Sequence, residues 1–187
     1  MPDSQTPQAR AVRANTIPEA RAVLSTTAAR WRTLTETIPS NLLSRPPLPG
    51  EWSAAECLKH ILDTERGVFP VRIRAILAGQ DFAMFNPQKD GAPAGQTPAQ
   101  LAAEFARLRA ENLTLLDQVT EDDLTRTARH SELGLVTMAE LINEWAAHDL
   151  MHTVQAERSL MQPFIIGCGP WRAAYFRDHD AEALKQG

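Results

Sequence analysis

The sequence predicts an all-α protein: a four-helix bundle with a long loop between its second and third helices and a short C-terminal helix. Three observations carry this. Apolar residues recur at steps of three and four through four separate segments. Most of those segments open on a capping signal. No segment alternates convincingly at period two, and Ala, Leu, Arg and Glu, all helix-favouring, are abundant.

The chain of 187 residues is long enough for one domain with a real core. Residues 1–15 are polar and read as a disordered tail, leaving residues 16–187 as a single helical domain. The first helix runs over residues 17–38. Thr16 and Glu19 can form a capping box, and Ile17, Ala20, Leu24, Thr27, Trp31, Leu34 and Ile38 make its stripe. Pro39 and the Pro-rich stretch to Gly50 stop it. The second helix starts at Ser53, with Glu56 completing Ser-x-x-Glu, and runs to Ala78 with a kink at Pro70. One face carries Leu58, Leu62, Glu65, Phe69, Arg72 and Ile76. Another carries Cys57, His60, Thr64, Gly67 and Val71. Residues 79–96 form a Gly/Pro-rich loop holding Phe82, Met84 and Phe85, a lid candidate. The third helix opens at Thr97-Pro98, and Leu101, Phe105, Leu108, Asn112, Leu115 and Val119 form its stripe. Asn112 is the polar exception. After a connection over residues 120–136, the fourth helix begins at Thr137, with Glu140 as its box partner, and runs to Leu160. A fifth, over residues 170–184, packs on the bundle through Trp171 and Tyr175.

Composition excludes several classes. A net charge of −4 with dispersed basic residues leaves no nucleic-acid footprint. No run approaches the ~20 apolar residues of a membrane span. The N-terminus lacks the apolar stretch of a secretory signal. Two cysteines, Cys57 and Cys168, do not make a disulfide framework, so a reducing cytoplasm is the expected compartment.

The chemistry concentrates on the fourth helix. Met138, Leu141, Trp145, His148, His152 and Gln155 lie on its seam. Histidines four apart differ by ~40° around the axis and ~6 Å along it, so both rings face the same way. A polar ring on an apolar seam needs a partner. That partner is a metal ion or a hydrogen bond inside the core, and the spacing alone allows both. His60, far upstream on another helix, is available as a third ligand. Three neutral imidazoles with an open position suit a catalytic divalent ion such as zinc, nickel, iron or manganese. Glu144, one turn before His148, and Asp63, three after His60, are candidates to orient a ligand or act as general base. The spacing is not that of a His-Glu-x-x-His protease, and no Glu-x-x-His tetrad of a di-iron bundle is present. Cys57 reads as a buried, inert thiol, and His130 and His179 as non-ligands.

Two separated stretches carry a family resemblance. Pro49-Gly-Glu-Trp52-Ser53-Ala-Ala-Glu56-Cys-Leu-Lys-His60-Ile-Leu-Asp63 resembles the second-helix signature of the DinB-like superfamily. Thr137-Met-Ala-Glu-Leu-Ile-Asn-Glu-Trp145-Ala-Ala-His148-Asp149-Leu-Met-His152 resembles its fourth-helix signature. The resemblance covers roughly residues 17–178. It implies an up-up-down-down-like bundle, often dimeric, with a divalent metal held by His60, His148 and His152. It also implies an enzyme in which a metal-activated water or low-molecular-weight thiol attacks a small electrophile, as in a hydrolase or thiol S-transferase. Phe82, Met84, Phe85, Asn112 and Trp145 would line the substrate pocket. Val23, Leu113 and Leu116 would offer a homodimer face. The alternative is a non-catalytic metal-binding protein of stress response or interaction.

Overall fold

The computed structural model describes residues 7–82 and 95–185. Helix α1 spans Pro7–Thr37. It starts upstream of the expected box at Thr16 because the preceding run is rich in alanine and arginine, which extend a helix readily. Pro18 therefore lies inside it. A single turn, α2, follows at Ser40–Leu43.

The second expected helix is divided. Helix α3 spans Ala54–Gly67 and α4 spans Phe69–Leu77. Ser53 and Glu56 form the capping box: Glu56 N donates to Ser53 Oγ and Ser53 N to Glu56 Oε2. The break at Val68 follows from Pro70, which has no N–H and is accommodated in a first turn. Helix α5 spans Pro98–Leu116 on a Thr97–Gln100 box.

The next connection corrects an expectation. Behind a 3₁₀ turn at Asp122–Thr125, strands β1 (Thr127–His130) and β2 (Gly134–Thr137) form an antiparallel hairpin. Neither Thr-Ala-Arg-His nor Gly-Leu-Val-Thr alternates apolar and polar residues, although burial alternates along β1. Gly134, at φ 78°, supplies the left-handed residue of the turn. Phe82 pairs with His130 at the hairpin's edge. Helix α6 then runs over Met138–Gly167, beyond the expected end, with Pro163 inside it.

The C-terminal segment is also divided, into α7 (Trp171–Tyr175), a 3₁₀ turn at Arg177–His179 and α8 (Ala181–Leu184). Trp171 and Tyr175 do not pack on the bundle; they are 64% and 73% exposed. Polar contacts hold this segment instead. Gln162 donates to His179 O and accepts from Ala181 N, and Arg172 pairs with Asp180.

Helix α1 packs on α5 and α6, and α3 packs on the same two, so α1 lies diagonal to α3. Residue pairs give the directions. Arg21 meets Asp117 while Leu24 O meets Arg109, so α1 and α5 are antiparallel. Arg109 also joins Leu24 to Asp149, and Arg30 pairs with Glu157, so α1 and α6 are parallel. His60 meets His148 while Glu65 meets Trp145, so α3 and α6 are antiparallel. The order is therefore up-down-down-up, not up-up-down-down. Parallel neighbours α3 and α5 need a long return connection, and residues 78–97 provide one.

Two apolar clusters fill the bundle. One gathers Leu24, Phe69, Ile73, Ile76, Leu116, Met138 and Trp145, and the other Trp31, Leu58, Ile61, Leu62, Phe105 and Leu160. Leu116 is fully buried and Leu113 packs against the core, so neither provides a separate dimer face as expected.

A charged layer runs through the same interior. Arg109 is 1% exposed. Its guanidinium donates to Glu65 Oε1 and Oε2 at 2.8 and 2.7 Å, to Asp149 Oδ2 and Oδ1 at 2.7 and 3.1 Å, and to Leu24 O at 2.8 Å. Asn112 Nδ2 and Trp145 Nε1 also donate to Glu65. One side chain thereby ties all four long helices together.

Removing one member of a buried ionic group leaves charges without a counter-ion, a cost of about 3–5 kcal/mol. Arg109→Met should lower the urea unfolding free energy by about that amount. Arg107→Met, which breaks a surface pair with Glu111, should change it little. Equal effects of the two substitutions would show that the layer does not hold the bundle.

Candidate metal centre

His148 and His152 project from consecutive turns of α6, and α3 brings His60 against them. His60 Nε2 lies 3.1 Å from His148 Nε2. One ligand atom from each of the three rings lies within 4.8 Å of the others. Two nitrogens ~2.1 Å from a shared ion at a tetrahedral angle are ~3.4 Å apart. The observed separation is close to that value.

His152 Nδ1 donates to Gln155 Oε1 at 2.8 Å. This fixes the tautomer and leaves Nε2 with its lone pair free for a ligand. His148 has no such anchor. Its Nδ1 is buried with no partner among the described residues, and its ring is held edge-on by Phe69 at 5.5 Å.

Burial keeps the rings neutral. Desolvation, then the neighbouring His152, pulls His60 down to about 4. Desolvation, then His152 and His60, pulls His148 down to about 3. Desolvation also lowers His152, against the bond to Gln155. Neutral imidazole is the ligating form. The donor set therefore fits a divalent ion: three neutral nitrogens, two of them facing each other at 3.1 Å. Charge balance agrees. The layer behind the site holds one guanidinium against two carboxylates, and Asp149 directly follows His148.

Aromatic walls surround the rings. Trp52 stacks on His152 at 5.7 Å and meets His60 at 5.0 Å. It is 39% exposed, so it stands at the mouth. Outside it runs a groove of about 1140 Å³ lined by Trp52, Leu150, Met151, His152 and Val154.

The other sequence-predicted residues divide. Glu144 is exposed, one turn before His148, and desolvation holds its carboxyl above the ordinary range while Arg72 pulls it down. Asp63 is buried and accepts from Lys59 Nζ at 2.7 Å, acting on His60 through its field. Trp145 and Asn112 are buried in the core. Trp145 is fully buried, stacked on Phe69, and both bond Glu65. Phe82 is buried in the core against His130 and Arg72 rather than lying over the histidines. Met84 and Phe85 lie outside the described residues. Cys57 is fully buried, and desolvation pushes its thiol up to about 12, as befits an inert core residue. His130 is outside the three-histidine cluster and sits buried in β1. Trp52, Arg72 and Gln155 receive no role from the sequence. For Gln155 the signal was present, because it lies three residues after His152 on the same seam.

The family model described as the DinB superfamily matches residues 23–156. The chain belongs to the DinB superfamily. A solved structure described as "YfiT from Bacillus subtilis is a probable metal-dependent hydrolase with an unusual four-helix bundle topology" aligns with a TM-score of 0.67 at 15% identity, covering 88% of this chain and 92% of that one. At that identity the likeness concerns the fold. No curated protein matches the chain. No helix among the described residues is long and apolar enough to cross a membrane.

The lowered histidine pKa values have a consequence for stability. Unfolded histidine titrates at 6.5, while folded His60 and His148 titrate at about 4 and 3. Acid therefore protonates the unfolded chain first. The metal-free protein should be most stable above pH 6.5 and lose stability as pH falls toward 4. Thermal melts of His148→Phe should show a shallower loss than the wild type across pH 6.5–4.5. Parallel curves would contradict neutral burial of this ring.

Proposed function

We propose that this chain is a metal-dependent enzyme acting on a small electrophilic substrate, of hydrolase or thiol S-transferase type. The observation that carries the reading is the convergence of three neutral imidazoles beside an open groove. His60, His148 and His152 would hold the ion, with Gln155 locking the tautomer of His152. A divalent ion there supplies Lewis-acid chemistry, bringing the pKa of a water or thiol toward neutrality. Glu144 is the proton carrier. It stands one turn from His148, and desolvation brings its carboxyl closer to a working pKa. Trp52 bounds the mouth and shields the reacting atoms from bulk water.

A low-molecular-weight thiol as nucleophile, assembly as a homodimer and a cytoplasmic setting belong to the same reading. The relative's description as a probable metal-dependent hydrolase is in keeping with it.

The test is turnover by the zinc- or nickel-loaded protein on activated esters and on alkylating electrophiles, with and without low-molecular-weight thiols. His148→Ala should abolish turnover. Glu144→Gln should reduce it by about 10²–10⁴-fold with metal content unchanged. Absence of turnover in both arms, with metal bound stoichiometrically, would instead favour a non-catalytic metal-binding protein.

A further inference from the structure

Arg72 lies on α4 one turn beyond Phe69, the residue that touches both His148 and Trp145. On α6, Glu144 lies one turn before His148, and Arg72 acts electrostatically on both. The guanidinium thus lies on the His148 side of the three histidines, one turn of α4 beyond the ring that braces His148. It is half-buried, resting over the Phe82 ring at 5.2 Å.

Its hydrogen-bond position is unusual. Among the described residues no carboxylate lies within 4.0 Å of it; its ring-nitrogen neighbour is His130 Nε2, at 3.2 Å. His130 Nδ1 already accepts from the backbone N–H groups of Glu132 and Leu133, at 3.1 and 3.3 Å. A neutral imidazole accepts at one nitrogen only, so Nε2 carries the proton. It therefore cannot satisfy Arg72. A half-buried guanidinium facing a donor, its forked N–H groups unmatched by any carboxylate among the described residues, is arranged for an acceptor that comes from outside.

We propose that Arg72 binds a carboxylate of the substrate, so that the substrate class is a small electrophile, or its thiol partner, bearing an acid group several ångströms from the reacting atom. This rests on the metal-centre reading. Planar guanidinium and carboxylate match in two parallel hydrogen bonds, so Arg72 fixes orientation as well as charge. One end of the molecule sits at the three histidines and the other at α4. Phe82 and His130 act by positioning the guanidinium from behind.

The test uses cobalt(II)-loaded full-length protein and matched thiol probes. The acids run from 3-mercaptopropionate to 6-mercaptohexanoate, and each has its mercapto-alcohol counterpart. The thiolate-to-cobalt absorption band reports each Kd. At one chain length the acid should bind at least about tenfold tighter than the alcohol, since charge-assisted bidentate pairs are the strong ones. Arg72→Gln should remove that preference, leaving the alcohol's Kd and the cobalt stoichiometry unchanged. Arg72→Lys should retain part of it. Equal affinity of acid and alcohol at every length in the wild type would overturn the proposal, whatever the variants do. So would a preference that survives in Arg72→Gln. A protein that takes up no cobalt, or whose cobalt band no thiol perturbs, would overturn the metal-centre reading itself, and this inference with it.

Discussion

The guanidinium of Arg109 joins all four long helices. It projects from α5 and bonds Leu24 O on α1, Glu65 on α3 and Asp149 on α6. Apolar packing alone tolerates small shifts of one helix along another. A forked cation between two carboxylates does not, because each donor must meet its acceptor or remain buried and unpaired. The layer therefore sets the axial register of α3 against α6. That register brings His60 opposite His148 and His152.

The same layer sets the electrostatics of the site. Glu65 and Asp149 outweigh Arg109 by one charge, in an interior of low dielectric. Three neutral imidazoles add no charge. A cation held by them would complete the balance that the carboxylates begin. Burial makes the rings poor bases toward protons, so protons compete little with a metal at neutral pH. Site and core are one construction: Trp145, which bonds Glu65, stacks on Phe69, and Phe69 in turn braces His148.

Much of this was legible in the sequence, and the remainder was hidden for physical reasons. The four long helices follow from three-four periodicity and capping residues. His148 and His152 follow from their spacing on an apolar seam. His60 does not, since nothing local says which distant helix will face it; the family motif placed it. Arg109 was passed over because an arginine among charged neighbours reads as a surface residue. The clue was its position between Phe105 and Asn112 on the buried stripe, with Glu65 likewise on the apolar face of α3. The hairpin is hidden because neither Thr-Ala-Arg-His nor Gly-Leu-Val-Thr alternates apolar and polar residues. The up-up-down-down-like order came from the resemblance, and connection lengths do not correct it, because they allow more than one ordering of four helices.

Held in register by the charged layer, the histidine triad should take one metal ion per chain. X-ray absorption on tag-free protein titrated with zinc tests it most directly. The expected result is one equivalent of tightly bound zinc whose coordination shell contains three imidazole nitrogens at ~2.1 Å, with no sulfur ligand. His60→Ala should lose that shell. Substoichiometric zinc, sulfur in the shell, or an unchanged spectrum in His60→Ala would contradict it.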